Sequence, residues 1–135
     1  MSRLLVDTSA LVTLGDRGDA RHERAVAGRR GEASGRLYIT DYVLDETLTL
    51  LRLRVGARAA SILADEVRRG AAFELIFVGP KQFWAAEARL RKLADDARVS
   101  FTDCTSFEII DHLGLDGAFA LDDDFRRAGY RVVPD

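Results

Sequence analysis

Four acidic residues, Asp7, Glu46, Asp103 and Asp122, stand where their carboxylates could act on one substrate. Asp7 and Asp122 each follow a short apolar run, and the other two fall in helix-like stretches. Two carboxylates about 4 Å apart repel each other by about 4 kcal/mol at an effective dielectric near 20. A fold keeps four together only when protons or metal ions compensate their charge. Mg²⁺ and Mn²⁺ prefer such oxygen ligands, and the matching chemistry is metal-assisted phosphodiester hydrolysis.

Each of these acids also has a purely structural explanation. An Asp after a strand often caps the helix that follows it. Asp103 fits a capping pattern that begins at Ser100, but Thr105 and Glu108 fit the same pattern, so the start of this helix stays open. Glu46 could lie at the boundary of an amphipathic helix. The chemical interpretation therefore depends on whether the fold brings the four acids together.

Helical periodicity distinguishes Glu46 from its neighbour Asp45. The residues one or two helical turns from Glu46 on its face are mostly apolar: Tyr42, Val43, Leu50 and Leu53. Asp45 shares its face with polar residues, so we predict that Glu46 points inward and Asp45 outward. No Lys or Arg is expected on the Glu46 face, and an unpaired buried carboxylate is costly. A metal ion is then the expected counter-charge.

The elements that must position these acids alternate between short apolar runs and helical stretches. We predict strands at Leu4–Val6, Leu37–Ile39, Phe73–Val78, Ala118–Leu121 and Arg131–Val133, and a cap-like turn at Asp7–Ser9. We predict helices at Ala20–Arg30, Tyr42–Val55, Ala57–Arg69, Pro80 to about Ala94, Ser100–Gly114 and Asp123–Ala128. This alternation indicates an α/β fold whose parallel sheet is covered on both faces. Ligands bind such sheets beyond the carboxyl ends of the strands, where Asp7 and Asp122 stand.

Composition narrows the class of protein. The 135 residues, 47% of them hydrophobic, suit one domain spanning residues 1–135. Twenty basic and 22 acidic residues give a net charge of -2, which argues against a basic arm that binds nucleic acid by bulk charge. The single Cys excludes an intrachain disulfide, and with two His it makes a Cys/His zinc site improbable. No long apolar stretch or signal-peptide pattern occurs, so we expect a soluble cytoplasmic protein.

The segments around the four acids resemble the motifs of the PIN domain. They read Leu-Leu-Val-Asp7-Thr-Ser-Ala-Leu, Tyr-Val-Leu-Asp-Glu46-Thr, Phe-Thr-Asp103-Cys-Thr-Ser-Phe and Ala-Leu-Asp122-Asp-Asp-Phe. The resemblance spans nearly the whole chain, in order and at ordinary spacing. Within the family, the chain is most similar to the VapC-like toxins of bacterial and archaeal toxin–antitoxin pairs.

The resemblance implies a Mg²⁺- or Mn²⁺-dependent endoribonuclease with a three-layer α/β/α fold and a central parallel sheet of about five strands. Asp7 and Asp103 would bind the metal directly or through water. Glu46 and Asp122 would complete the metal-binding and catalytic set, and the hydroxyl of Thr8 would support the site.

The fourth motif leaves a choice between two acids. The family places its key acid three residues before the Phe, which here is Phe125, and this favours Asp122. Asp124 is the alternative and could instead support the site.

The resemblance also implies partners: an RNA substrate, a cognate antitoxin protein and a second copy of the chain in a homodimer. An acidic cleft with no Arg of its own would be blocked well by an Arg that the antitoxin supplies. Trp84 is interpreted as part of a packing stripe or of a dimer face. Arg52, Arg54 and Arg58 are interpreted as phosphate contacts or as a solvated face.

Competing interpretations make different demands on the sequence. A receiver domain needs an acceptor Asp after the third strand, where this chain has Gly79 and Pro80. A haloacid-dehalogenase-type phosphatase needs Asp-x-Asp after the first strand, where this chain has Asp7-Thr8-Ser9. The remaining alternative is a catalytically degenerate PIN scaffold that binds RNA or a protein.

Overall fold

The computed structural model describes residues 2–93, 95 and 98–135, which form five strands and seven helices. The strands are β1 Leu4–Val6, β2 Leu37–Thr40, β3 Phe73–Ile76, β4 Gly117–Phe119 and β5 Val132–Val133. The helices are α1 Thr8–Gly15, α2 His22–Arg30, α3 Asp41–Arg54, α4 Ala57–Arg69, α5 Pro80–Lys92, α6 Phe101–Leu113 and α7 Asp124–Arg127. No helix among these residues is both long and apolar enough to cross a bilayer.

The five strands form one parallel sheet in the order β3-β2-β1-β4-β5. The chain builds outward from β1 through β2 to β3, and then returns to the other side of β1 with β4 and β5. The strand order therefore reverses between β1 and β4. In open α/β sheets this reversal leaves a crevice beyond the carboxyl ends of the two strands, and ligands bind there.

Helices cover both faces of the sheet. Alternate residues of β1 point to opposite faces, as a strand requires. Leu4 and Val6 pack with α1 to α4, whereas Leu5 packs with Phe107 of α6 and Phe125 of α7. Two apolar cores thus enclose a sheet whose central strand is fully buried. The predicted three-layer α/β/α fold with a five-stranded parallel sheet is confirmed.

Helix α1 is the main element that the sequence did not resolve. Asp7–Ser9 was predicted as a cap-like turn, and it is the start of an eight-residue helix. Thr8 and the stretch Ala10–Thr13 are buried, so α1 lacks the exposed polar face that gives a helix its periodic signature.

The strand and helix ends differ from the prediction by a few residues. β4 ends at Phe119 rather than at Leu121, because the backbone N–H of Leu121 donates to the Ser9 hydroxyl instead of to a strand. Helix α5 ends at Lys92, and the predicted end at Ala94 lies outside the described residues. Gly70 ends α4 with a φ of 75°, the left-handed conformation that favours glycine at this position.

Candidate active site

One pocket, at the crevice between β1 and β4, contains all of the acids singled out in the sequence. Its lining includes Asp7, Thr8, Glu46, Asp103, Asp122 and Asp124, and also Ser9, Ser100, Arg21 and Arg54. The acids reach it from the ends of β1 and β4 and from helices α3, α6 and α7. Residues far apart in the chain are therefore brought to a single surface.

Asp7 is the most deeply buried of these acids. Its backbone N–H donates to Phe119 O at 2.9 Å, which holds the end of β1 against β4. Its Oδ2 caps α1 by accepting hydrogen bonds from Ser9 N at 3.2 Å and from Ser9 Oγ at 2.7 Å. Burial raises the pKa of Asp7 to about 7, and the charges of Asp103 and Asp122 add to the shift. The fold thus makes this carboxylate costly to ionise at the point where two strands meet.

Asp103 lies in the first turn of α6, in a capping box with Ser100. Ser100 Oγ accepts from Asp103 N at 3.0 Å, and Asp103 Oδ2 accepts from Ser100 N at 3.1 Å. The start of α6 that the sequence left open is therefore set by Ser100. Burial raises the pKa of Asp103 to about 6, and the charges of Asp124 and Glu46 contribute in the same direction. Asp103 is held by its cap and still shares the pocket with other acids.

Glu46 lines the pocket, and its neighbour Asp45 is exposed. The expectation that the Glu46 face carries no basic residue is wrong. Arg54 lies eight residues, or about two helical turns, further along α3 and lines the same pocket. The apolar face predicted from the sequence extends only as far as Leu53, one residue before Arg54. The Leu53 side chain is itself 76% exposed.

The expectation that the cleft has no Arg of its own is also wrong. Arg21 donates to Asp122 Oδ1 at 3.0 Å from the loop before α2. The two residues are 101 positions apart in the chain, so no local pattern relates them. The Asp124 side chain is less exposed than that of Asp122, and it pairs with Arg127 on α7. Both Asp122 and Asp124 line the pocket, and the choice between them stays open.

Ser9 is a residue of the pocket that the sequence analysis did not select. Its hydroxyl donates to Asp7 and accepts from Leu121 N at 2.9 Å and from Asp122 N at 3.4 Å. The Ser9 side chain thus links Asp7, which follows β1, to the backbone of the segment that follows β4. The signal that could have found it is a hydroxyl two residues after a capping Asp, a spacing that permits local hydrogen bonds.

The Ser9→Ala variant is expected to lose about 1–3 kcal/mol of unfolding free energy, because it leaves the partly buried Leu121 N–H without its acceptor. Urea unfolding measures the loss. The control is Ser61→Ala, on the exposed face of α4, which should change stability by less than about 0.5 kcal/mol. Equal stability of the two variants would contradict the role of Ser9.

The pocket fits a divalent ion that keeps part of its water shell. Thr8 lines the pocket, and its Oγ1 is buried without a hydrogen-bond partner. Among the described residues, no three His, Cys, Asp or Glu side chains are arranged to hold an ion directly. Mg²⁺ is commonly bound by one or two carboxylates, with waters and substrate phosphates as its other ligands. Binding of the ion by Asp7 and Asp103 fits that arrangement better than direct coordination by all four predicted acids does.

Comparison with known proteins agrees with this architecture. The family model described as PIN domain matches residues 4–130. The 23S rRNA-specific endonuclease VapC20 of Mycobacterium tuberculosis, from strains CDC 1551 and H37Rv, is 36% identical over 134 residues, or 96% of this chain and 97% of the relative. The crystal structure of M. tuberculosis VapC20, described as a sarcin–ricin loop cleaving toxin, superposes with a TM-score of 0.83 at 35% identity, covering 95% of this chain and 96% of the other. The chain belongs to the PIN domain family.

Proposed function

We propose that this protein is a divalent-metal-dependent endoribonuclease and the toxin of a toxin–antitoxin pair. The observation that carries the proposal is the convergence of five carboxylates on one pocket, two of them buried with raised pKa values. Such a cluster is stable in its ionised form when a cation compensates it. The similarity to the VapC20 endonuclease over almost the whole chain supports the same activity.

The acids of the pocket and the hydroxyls of Ser9 and Thr8 have distinct parts in the proposed reaction. Asp7 and Asp103 would hold Mg²⁺ or Mn²⁺, which supplies positive charge against the phosphate and activates the attacking water. Glu46, on the wall formed by α3, would orient that water by accepting its hydrogen bond. Asp122, with Asp124 as the alternative, would complete the acidic set. Ser9 bonds the Asp7 carboxylate, and Thr8, whose hydroxyl has no partner, would support the site.

The RNA that we propose as substrate is ribosomal. The relative of similar length is named for cleavage of 23S rRNA, and its crystal structure is described as that of a sarcin–ricin loop cleaving toxin. Recognition of an RNA loop depends on groove shape and on contacts around the cut. Because the similarity covers both chains nearly from end to end, the same substrate class is the first to test.

We further propose an antitoxin that pairs with the acids that have no Arg partner. Within the described residues, Asp7, Glu46 and Asp103 form no ion pair, whereas Asp122 and Asp124 do. A cationic side chain from the antitoxin would bond those three acids. The protein would act in the cytoplasm as a homodimer. The exposed Phe77 and Trp84, which follow the edge strand β3 in the chain, would serve that contact; Leu53, Val55 and Ile62 are exposed as well.

The test of the function is incubation of the purified protein with total RNA and with intact ribosomes. We expect new RNA ends in Mn²⁺ or Mg²⁺ and none in EDTA, because the buried acids need an ion to act. Mapping the ends identifies the cut, which we expect in 23S rRNA. RNA binding without any metal-dependent cleavage would instead support a degenerate scaffold.

A further inference from the structure

Two arginines line the acidic pocket. Arg21 contacts Asp122 at 3.0 Å and also lies 3.5 Å from Asp19 Oδ1 and from Thr13 Oγ1. Arg54, the last residue of α3, is exposed and forms no hydrogen bond or ion pair within the described part of the chain, although its charge helps to lower the pKa of Asp19. The pocket therefore carries two cationic side chains beside its five carboxylates.

The two arginines offset the repulsion that the acidic pocket would exert on an RNA substrate. RNA carries negative phosphates, and five carboxylates in the pocket repel them. An ion held by the acids can attract only the phosphates beside it. The guanidinium of Arg presents a planar fork that matches two phosphate oxygens at once. Arg21 and Arg54 thus supply attraction where the ion does not.

The position of Arg54 indicates which phosphate it can reach. It follows Glu46 by eight residues on one helix, which is about 12 Å along the axis. This separation is between backbones, and both side chains line one pocket, so it favours contact of Arg54 with a phosphate next to the one being cleaved. Arg21 is closer to the reaction, because it already touches Asp122.

We propose that Arg21 and Arg54 are the residues of this pocket that bind the phosphates of the RNA. Arg54 contacts a phosphate that flanks the cleaved bond, and Arg21 exchanges its bond to Asp122 for one to an RNA phosphate. The exchange is feasible because the side chains of the Arg21–Asp122 pair are 43% and 53% exposed, and exposed ion pairs are weak. This inference rests on the proposed function, since it assigns the RNA its path across the site.

The test of Arg54 measures RNA binding without cleavage. All variants carry Asp7→Asn, and a labelled oligoadenylate in EDTA reports affinity by fluorescence anisotropy over a series of salt concentrations. Phosphate contacts do not depend on sequence, so this probe is sufficient. We expect Arg54→Gln to weaken binding about tenfold and to reduce the slope of log affinity against log salt by about 0.7. The Arg54→Lys variant should keep most of the original salt slope, because it retains the positive charge.

The matched control is Arg52→Gln, which removes the same charge from an exposed residue of α3 outside this pocket. We expect Arg52→Gln to leave the salt slope as it was. Unchanged affinity and slope in Arg54→Gln, or equal losses in both variants, would overturn the role of Arg54.

A double-mutant comparison separates two roles for Arg21. If it only positions Asp122, Arg21→Gln has no further effect on RNA binding once Asp122→Asn is present. If it binds phosphate, Arg21→Gln weakens binding and lowers the salt slope in both backgrounds, which is the result we expect. Failure of the proposed function is a different outcome, because the protein with all its arginines would then show no metal-dependent cleavage of any RNA.

Discussion

Replacing Asp7 with asparagine should lower the rate of metal-dependent RNA cleavage by at least about 10³-fold, which corresponds to about 4 kcal/mol of transition-state stabilisation. Asp7 is held in place by its backbone bond to β4 and by the bonds of its Oδ2 to Ser9. Asparagine keeps the shape and can still accept the Ser9 hydrogen bonds. The loss would then come from the missing charge toward the ion. Single-turnover cleavage in Mn²⁺ measures the effect.

The matched control for this substitution is Asp45→Asn. Asp45 is an exposed acid beside Glu46, so its replacement removes one negative charge without touching the pocket. We expect its cleavage rate to stay within about twofold of the original protein, in keeping with the weak effect of an exposed charge. If Asp7→Asn cleaves as fast as Asp45→Asn, the site is not the one proposed.

Without metal, the protein should lose stability as the pH rises from about 4 to about 7. The folded-state pKa values of Asp7 and Asp103 are raised to about 7 and about 6, mainly by burial, from the ordinary value of 3.8. Between about pH 4 and pH 7 the folded protein therefore holds protons that the unfolded chain has already released. Stability contributed by these two groups is therefore greatest below pH 4 and is lost as the pH climbs through 6 and 7.

The size of this effect follows from the shift at Asp7. A change from 3.8 to about 7 corresponds to at most about 4 kcal/mol. Urea unfolding in EDTA across this pH range measures it. Asp7→Asn has no carboxyl to ionise, so its stability should fall less and should exceed that of the original protein at pH 8. A parallel pH dependence in the two proteins would mean that burial of Asp7 does not determine it.

The sequence was sufficient for the architecture and for the acids. Short apolar runs separated by amphipathic helices define a parallel sheet, and Asp7 and Asp122 follow two of those runs directly. The helical spacing placed Glu46 inward and Asp45 outward, as the structure has them. These features are local, so a pattern of a few residues can carry them.

Features that depend on distant parts of the chain were missed or wrong. The bond between Arg21 and Asp122 and the bonds of Ser9 to Leu121 and Asp122 join residues more than 100 positions apart. Helix α1 was missed because it is buried on most sides and so lacks a polar face. In each case the deciding contacts join elements that are distant in the sequence, so no local pattern indicates them.

Calorimetric titration of Mn²⁺ at pH 6.5, in buffers of different ionisation enthalpy, tests most directly whether the buried acids hold the ion. Asp7 and Asp103 are partly protonated at this pH, and a metal ligand must give up its proton. We predict that binding releases about one proton, and that Asp7→Asn binds more weakly and releases fewer. Absence of Mn²⁺ binding, or binding that releases no proton and is unchanged in Asp7→Asn, would contradict the metal site.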